Sequence, residues 1–181
     1  MFLILHGIEG HAGNHWQQWL HDQLIKNKNK VIMPNLPKAD HPNRKEWLTT
    51  IKKLTKNVDL NNLIIIAHSL SVATSLDFIE TLNKPIKALI SISGFADDYE
   101  SELNSYFMKA KGINFIKVNK NIKKAFVIYG DNDPYVPQKT LKNLADKLKT
   151  KPTIILNGEH LNTDAGYTKF PLLLQLINNL F

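Results

Sequence analysis

The feature that most restricts this chain is its rhythm. Short, uncharged apolar runs recur along it, each separated from the next by a longer stretch of mixed polarity. The runs are Phe2 to Leu5, Val31 to Met33, Leu63 to Ala67, Ala88 to Ile92, Ala125 to Tyr129 and Thr153 to Leu156. Runs this short, without alternating polar residues, fit strands covered on both faces, as in a parallel sheet. Between them lie helix-compatible stretches at about His15 to Lys26, Arg44 to Asn57, Leu70 to Leu82, Glu100 to Ala110, Gln138 to Lys149 and Pro171 to Leu180. After Pro137, for example, Leu141, Leu144, Ala145 and Leu148 share one helical face and lysines the other. Strands and helices taking turns predict an α/β fold: a three-layer α/β/α sandwich around a six-stranded parallel sheet. With 181 residues, no internal repeat and no abrupt change in composition, residues 1–181 read as a single domain.

Composition removes several classes of function. There is no cysteine, so disulfides, thiolate metal sites and a cysteine nucleophile are all excluded. The net charge is +7, but Arg44 is the only arginine and the lysines are scattered among Asn and acidic residues. Nucleic-acid readers depend on the bidentate guanidinium, so this charge reads as a solvated surface and no nucleic-acid partner is expected. The run Phe2 to Leu5 is too short for a signal-peptide core, and no stretch approaches the ~20 apolar residues of a membrane span. The expectation is a cytoplasmic protein with no membrane partner. Neither G-x-x-x-x-G-K-S/T nor G-x-G-x-x-G occurs, which argues against an ATPase or a dehydrogenase, and no cofactor is expected. His11 and His15 are four apart, but the glycines around them argue against a helical metal site, and no metal is expected.

What remains points to acyl transfer. In Ile64-Ile65-Ile66-Ala67-His68-Ser69-Leu70-Ser71-Val72-Ala73 a buried strand runs straight into a serine and then into a helix. That is the layout of a nucleophile elbow, whose tight turn needs small residues two before and two after the serine. The usual glycines are replaced by Ala67 and Ser71, both small. A serine hydroxyl needs a neighbouring base, and the base an orienting acid. In such sheets these partners follow in the order acid, then histidine, on loops beyond later strands. Asp131 and Asp133 both follow the run ending at Tyr129. Asp133 is the favoured acid because it directly precedes the turn Pro134-Tyr135-Val136-Pro137, with Asp131 better suited to a turn. His160 follows the last apolar run and is the expected base. An oxyanion hole needs two backbone amides, expected from Leu70 beside the serine and from Ile8 in the turn His6-Gly7-Ile8-Glu9-Gly10.

Together these residues resemble the small serine-hydrolase family that includes retinoblastoma-binding protein nine and bacterial relatives. The resemblance covers essentially the whole chain. It rests on His6-Gly7, His15-Trp16 with Trp19-Leu20, Pro34-x-x-Pro37, His68-Ser69-Leu70, Asp133-Pro134-x-Val136-Pro137, and His160-x-Asn162 followed by Gly166-Tyr167 and Phe170-Pro171. It implies a minimal α/β-hydrolase fold with Ser69, Asp133 and His160 as triad. Two positions depart from the family's pattern: Glu159 stands where glycine is common and Ser71 replaces the elbow glycine. The retinoblastoma-binding motif L-x-C-x-E requires a cysteine and cannot be present. Only about sixty residues separate Ser69 from Asp133, too few for the intervening strands, a helix and a lid domain. Phe95, Tyr99, Tyr106 and Phe107 are expected to line an apolar pocket for a small-molecule or acylated substrate. The alternative function is a hydrolase-fold binding protein with little or no turnover.

Overall fold

A computed structural model describes residues 1–180 of the chain. Its backbone alternates as the apolar rhythm requires: β1 (Phe2–Leu5), α1 (Gln17–Lys26), β2 (Val31–Ile32), α2 (Arg44–Thr55), β3 (Ile64–His68), α3 (Ser71–Glu80), β4 (Ala88–Ile92), α4 (Ser105–Lys109), α5 (Phe115–Lys120), β5 (Ala125–Gly130), α6 (Gln138–Lys147), β6 (Thr153–Ile155) and α7 (Pro171–Asn178). The six strands form one sheet in the order β2-β1-β3-β4-β5-β6. Every pairing is parallel, with Leu5 opposite Ala67 and His68 opposite Ile92.

Two apolar layers sandwich the sheet. Because strand side chains alternate in direction, Leu3, Leu5, Ile65, Ala67, Leu89 and Val127 belong to a layer with Trp47, Ile51, Leu76 and Leu144 of α2, α3 and α6. Their neighbours Phe2, Ile4, Ile64, Ile66, Ile90 and Ile128 belong to the opposite layer with Leu20, Leu24, Leu173 and Ile177 of α1 and α7. The sole arginine is spent inside this framework. Arg44 grips Asp77 through Nε (2.6 Å) and Nη2 (3.0 Å), tying α2 to α3, while Nη1 donates to the carbonyls of Phe107 and Met108 at the end of α4. Both side chains are buried, so removing Asp77 would strand the guanidinium, at a cost of about 3–5 kcal/mol, whereas Asp77 also holds Lys111 Nζ at 3.0 Å.

Several expected elements are shorter than their sequence patterns. The first helix begins at Gln17 rather than His15, because His15 sits at φ +57°, outside the right-handed helical region. The stretch from Glu100 to Ala110 keeps only α4. Glu100 has φ +63°, and Asp98 Oδ1 accepts from the Glu100 amide and the Ser105 hydroxyl, building a turn instead. Strand β2 stops before Met33, because the next residue, Pro34, has no N–H to donate to a ladder. Helix α5 was not expected. Asn114 caps it by accepting from the amides of Ile116 and Lys117, yet only Val118 of its residues is buried, which leaves no periodic apolar signal.

Candidate active site

The strand order reverses beside β1: β2 lies on one side of it and β3 on the other. Such a switch point opens a crevice at the carboxyl ends of the strands. A cavity of about 540 Å³ occupies this end of the sheet, walled by loops after β1, β3, β4, β5 and β6. Ser69, His160, Ile8, His15, His68 and Asp164 are among its lining residues.

Ser69 directly follows β3 and opens the turn into α3 at φ +56°, a left-handed conformation that costs a non-glycine residue roughly 1–3 kcal/mol. The surroundings hold it there. Its amide donates to the Ile92 carbonyl of β4 (2.9 Å), and its carbonyl accepts from Val72. The missing elbow glycines do not open the turn. Ala67 is fully buried, and Ser71 is buried with its hydroxyl donating to the His68 carbonyl (2.9 Å) and the Leu5 carbonyl (3.3 Å), which laces the elbow to β1. Opposite, a Cβ on Gly7 would lie 3.0 Å from Ser69 Cβ, so the glycine lets the β1 loop pass close to the elbow.

The two competing aspartates separate cleanly. Asp133 Oδ2 accepts from His160 Nδ1 at 2.8 Å, while Oδ1 accepts from the amides of Tyr135 (2.9 Å) and Val136 (3.0 Å). Its side chain is fully shielded from solvent. Asp131 instead accepts from the amide of Asn157 (2.8 Å), and Asn132 Oδ1 from the amide of Glu159 (2.8 Å). These two clamp the loop that carries His160. Because Asp133 takes Nδ1, His160 keeps Nε2 for the cavity. Ser69 Oγ has no hydrogen-bond partner among the described residues.

Other residues of the site carried no local sequence signal for these roles. His68 is buried and donates from Nε2 to the His160 carbonyl (3.0 Å). Burial first, then the neighbouring His160 and His15, hold its pKa well below the ordinary value, so it is a neutral tether. Trp16 Nε1 donates to the Leu161 carbonyl (3.0 Å). His6 Nε2 accepts from the Leu36 amide (2.8 Å) and its Nδ1 donates to the Gly7 carbonyl (2.8 Å), bracing the β1 loop. The amides of Ile8 and Leu70 have no acceptor among the described residues, and Ile8 lines the cavity.

The expected aromatic pocket is corrected. Phe95 and Phe107 are each 1% exposed and belong to the core, Phe107 packed edge-on against Trp47 at 5.4 Å. Tyr106 lies outside the cavity, stacked on His41 at 4.3 Å. Aromatic residues in an amphipathic stretch are drawn first to the core. The cavity wall from this segment is Tyr99, Ser101, Leu103 and Asn104, so only Tyr99 of the four aromatics faces it. The cavity has Glu9 and Asp164 as its charged lining residues beyond histidine, and no lysine or arginine, on a chain of net charge +7.

A sequence model described as serine hydrolase matches residues 2–179. The chain belongs to that serine hydrolase family. A member's reaction class is hydrolysis. YdeN of Bacillus subtilis (strain 168) is 27% identical over 181 residues, covering 98% of this chain and 94% of that protein. The crystal structure of the B. subtilis ydeN gene product superposes with a TM-score of 0.92 at 26% identity, covering 99% of this chain and 97% of that one. A YdeN-like protein of Pectobacterium atrosepticum superposes at TM-score 0.75 with 14% identity, over 99% and 89% of the two chains. Est1E from Butyrivibrio proteoclasticus does so at 0.69 with 18% identity, over 97% and 88%. The fold is the minimal α/β-hydrolase fold. Among the described residues no helix is long and apolar enough to cross a membrane.

Proposed function

We propose that this serine hydrolase cleaves a carboxylic ester, thioester or amide through an acyl-enzyme on Ser69. His160 Nε2 takes the proton of Ser69 Oγ as that oxygen attacks the acyl carbon. The carbonyl π electrons move to oxygen, and the amides of Ile8 and Leu70 receive the resulting oxyanion. Collapse of the tetrahedral intermediate breaks the bond to the leaving group, which departs with the proton from His160. Water then repeats the sequence, regenerating Ser69 and releasing a carboxylic acid. Asp133 fixes the imidazole tautomer and stabilises its cation. The substrate is a small or acylated molecule entering an open cavity.

The observation that carries this reading is the 2.8 Å contact of His160 Nδ1 with a fully shielded Asp133 carboxylate, beside a serine held left-handed at the same cavity. Labelling with a fluorophosphonate probe tests it. The wild type is expected to label and to hydrolyse simple esters. Ser69→Ala is expected to lose labelling and to slow turnover by about 10⁴-fold or more. Equal labelling of the two proteins sinks the proposal. A second reading, a hydrolase-fold binding protein, is favoured by the unpartnered Ser69 hydroxyl; an intact fold with neither labelling nor ester hydrolysis would select it.

A further inference from the structure

A second imidazole stands at the cavity with no task in the chemistry above. His15 lines the same cavity as Ser69 and His160. Its Nδ1 lies 3.1 Å from the backbone nitrogen of Thr163 and 2.9 Å from the Thr163 hydroxyl. An amide N–H can only donate, so Nδ1 must offer a lone pair, and the hydroxyl can donate to it as well. A proton on Nδ1, in the other tautomer or in the imidazolium, would point at that N–H. The neutral ring therefore carries its hydrogen on Nε2.

The environment agrees. Burial first, then the proximity of His160, hold the His15 pKa below its ordinary value, with His11 acting the same way and Asp164 opposing. The Nε2–H has no acceptor among the described residues. The ring is also held in place, packed edge-on against His68 at 5.3 Å, which in turn packs against His160 at 5.0 Å. The backbone beneath it is strained at φ +57°. A fixed, unused donor at the cavity wall is preorganised to meet an acceptor on a ligand.

We propose that His15 is a substrate-binding residue that donates from Nε2 to a neutral oxygen, hydroxyl or carbonyl, on the leaving-group portion of the substrate. This rests on the acyl-enzyme reading. The leaving-group side follows from position: His15 joins His160 through His68, and His160 is the group that hands its proton to the leaving group. The neutral oxygen follows from charge. Glu9 and Asp164 line the cavity without a lysine or arginine to balance them, which disfavours carboxylate or phosphate groups there. The favoured class is an ester of an oxygen-bearing alcohol.

Two measurements test this. Nitrogen-15 NMR of the wild type at pH 7 is expected to show His15 as the Nε2–H tautomer; an Nδ1–H tautomer or an imidazolium overturns the inference whatever the activity. The second compares 1-monobutyrin with propyl butyrate, which share an acyl group and differ by two hydroxyls, each normalised to its hydroxide-catalysed rate. The wild type is expected to favour monobutyrin in kcat/KM by about 3- to 10-fold, the range of one neutral hydrogen bond. His15→Phe is expected to bring the ratio near unity. His15→Gln, whose amide nitrogen reaches the Nε2 position, is expected to retain part of it. Equal rates for the two esters, or a ratio unmoved in His15→Phe, overturns the inference alone. Failure of the wild type to hydrolyse either ester overturns the inference, and Ser69 labelling then decides the acyl-enzyme reading separately, which falls with it only where labelling is absent too.

Discussion

The two loops that meet at the cavity are built by opposite means. Ser69 is placed by its own flanking elements: β3 is paired on both edges, α3 follows at once, and the turn is held mostly by neighbouring backbone and by Ser71. His160 sits in a loop without regular structure, between β6 and α7. Asn157, Glu159 and Leu161 all have positive φ, and side chains from elsewhere fasten the loop: Asp131, Asn132, His68 and Trp16 each bond to its backbone. Strain that local sequence cannot relieve is here offset by tertiary contacts. The placement of the serine can thus be specified locally, whereas that of the imidazole depends on residues distant in the chain.

The sharpest way to break this contrast is at the neighbouring aspartates. Asp133→Ala is expected to lower kcat by about 10⁴-fold through the orientation of His160. Asp131→Ala, which only loosens the loop, is expected to cost about tenfold, within the range that small misplacements produce. Steady-state kinetics on the two variants, with circular dichroism to confirm folding, measures the ratio; similar losses would mean that the two carboxylates share one role.

Gly130→Ala probes the loop sterically. A Cβ there would collide with the backbone carbonyl oxygen and nitrogen of Glu159, so backbone must move. Turnover is expected to fall by about 10²-fold, with fluorophosphonate labelling of Ser69 slowed in parallel because His160 shifts. Kinetics indistinguishable from wild type would show that the loop tolerates displacement and that the clamps are not positional.

A smaller effect should appear in stability against pH. His68, His15 and His6 all have pKa values lowered chiefly by burial. The unfolded chain binds protons to these residues below about pH 6.5 while the folded chain resists, so stability is complete above that pH and declines as pH falls through it. Fully buried His68 alone contributes up to about 1.4 kcal/mol per pH unit. Denaturant midpoints from pH 7.5 to 5.5 should fall, and His68→Phe should flatten the fall. A flat wild-type profile would mean that the buried rings accept protons without loss.

The same contrast explains what could be read from the sequence. Strands β1, β3, β4 and β5 were legible because burial on both faces leaves uninterrupted apolar runs, and the Ser69 turn because its small residues are adjacent in the chain. Asp133 could be separated from Asp131 by the turn that follows it. The roles of His6, His68 and Trp16 were not legible, since each depends on a partner carbonyl or amide far along the chain. The places of Phe95, Phe107 and Tyr106 are hidden for a related reason: an aromatic side chain carries no mark that distinguishes a core contact, or a surface stack like that of Tyr106 on His41, from a cavity wall. Helix α5 leaves no sequence signal because a half-exposed helix of six residues has almost no apolar face to display.

The clamps also bear on when the site comes into being. The surroundings of Ser69 require little beyond the central strands and the helix after them. The His160 loop needs the elbow, the start of α1, the β5 turn and the last strand at once, contacts spanning up to 148 residues of chain. Loops closed over such separations form late and open early. The serine's surroundings can therefore be in place while the imidazole is still absent, and competence for chemistry marks the completion of folding across the whole sheet.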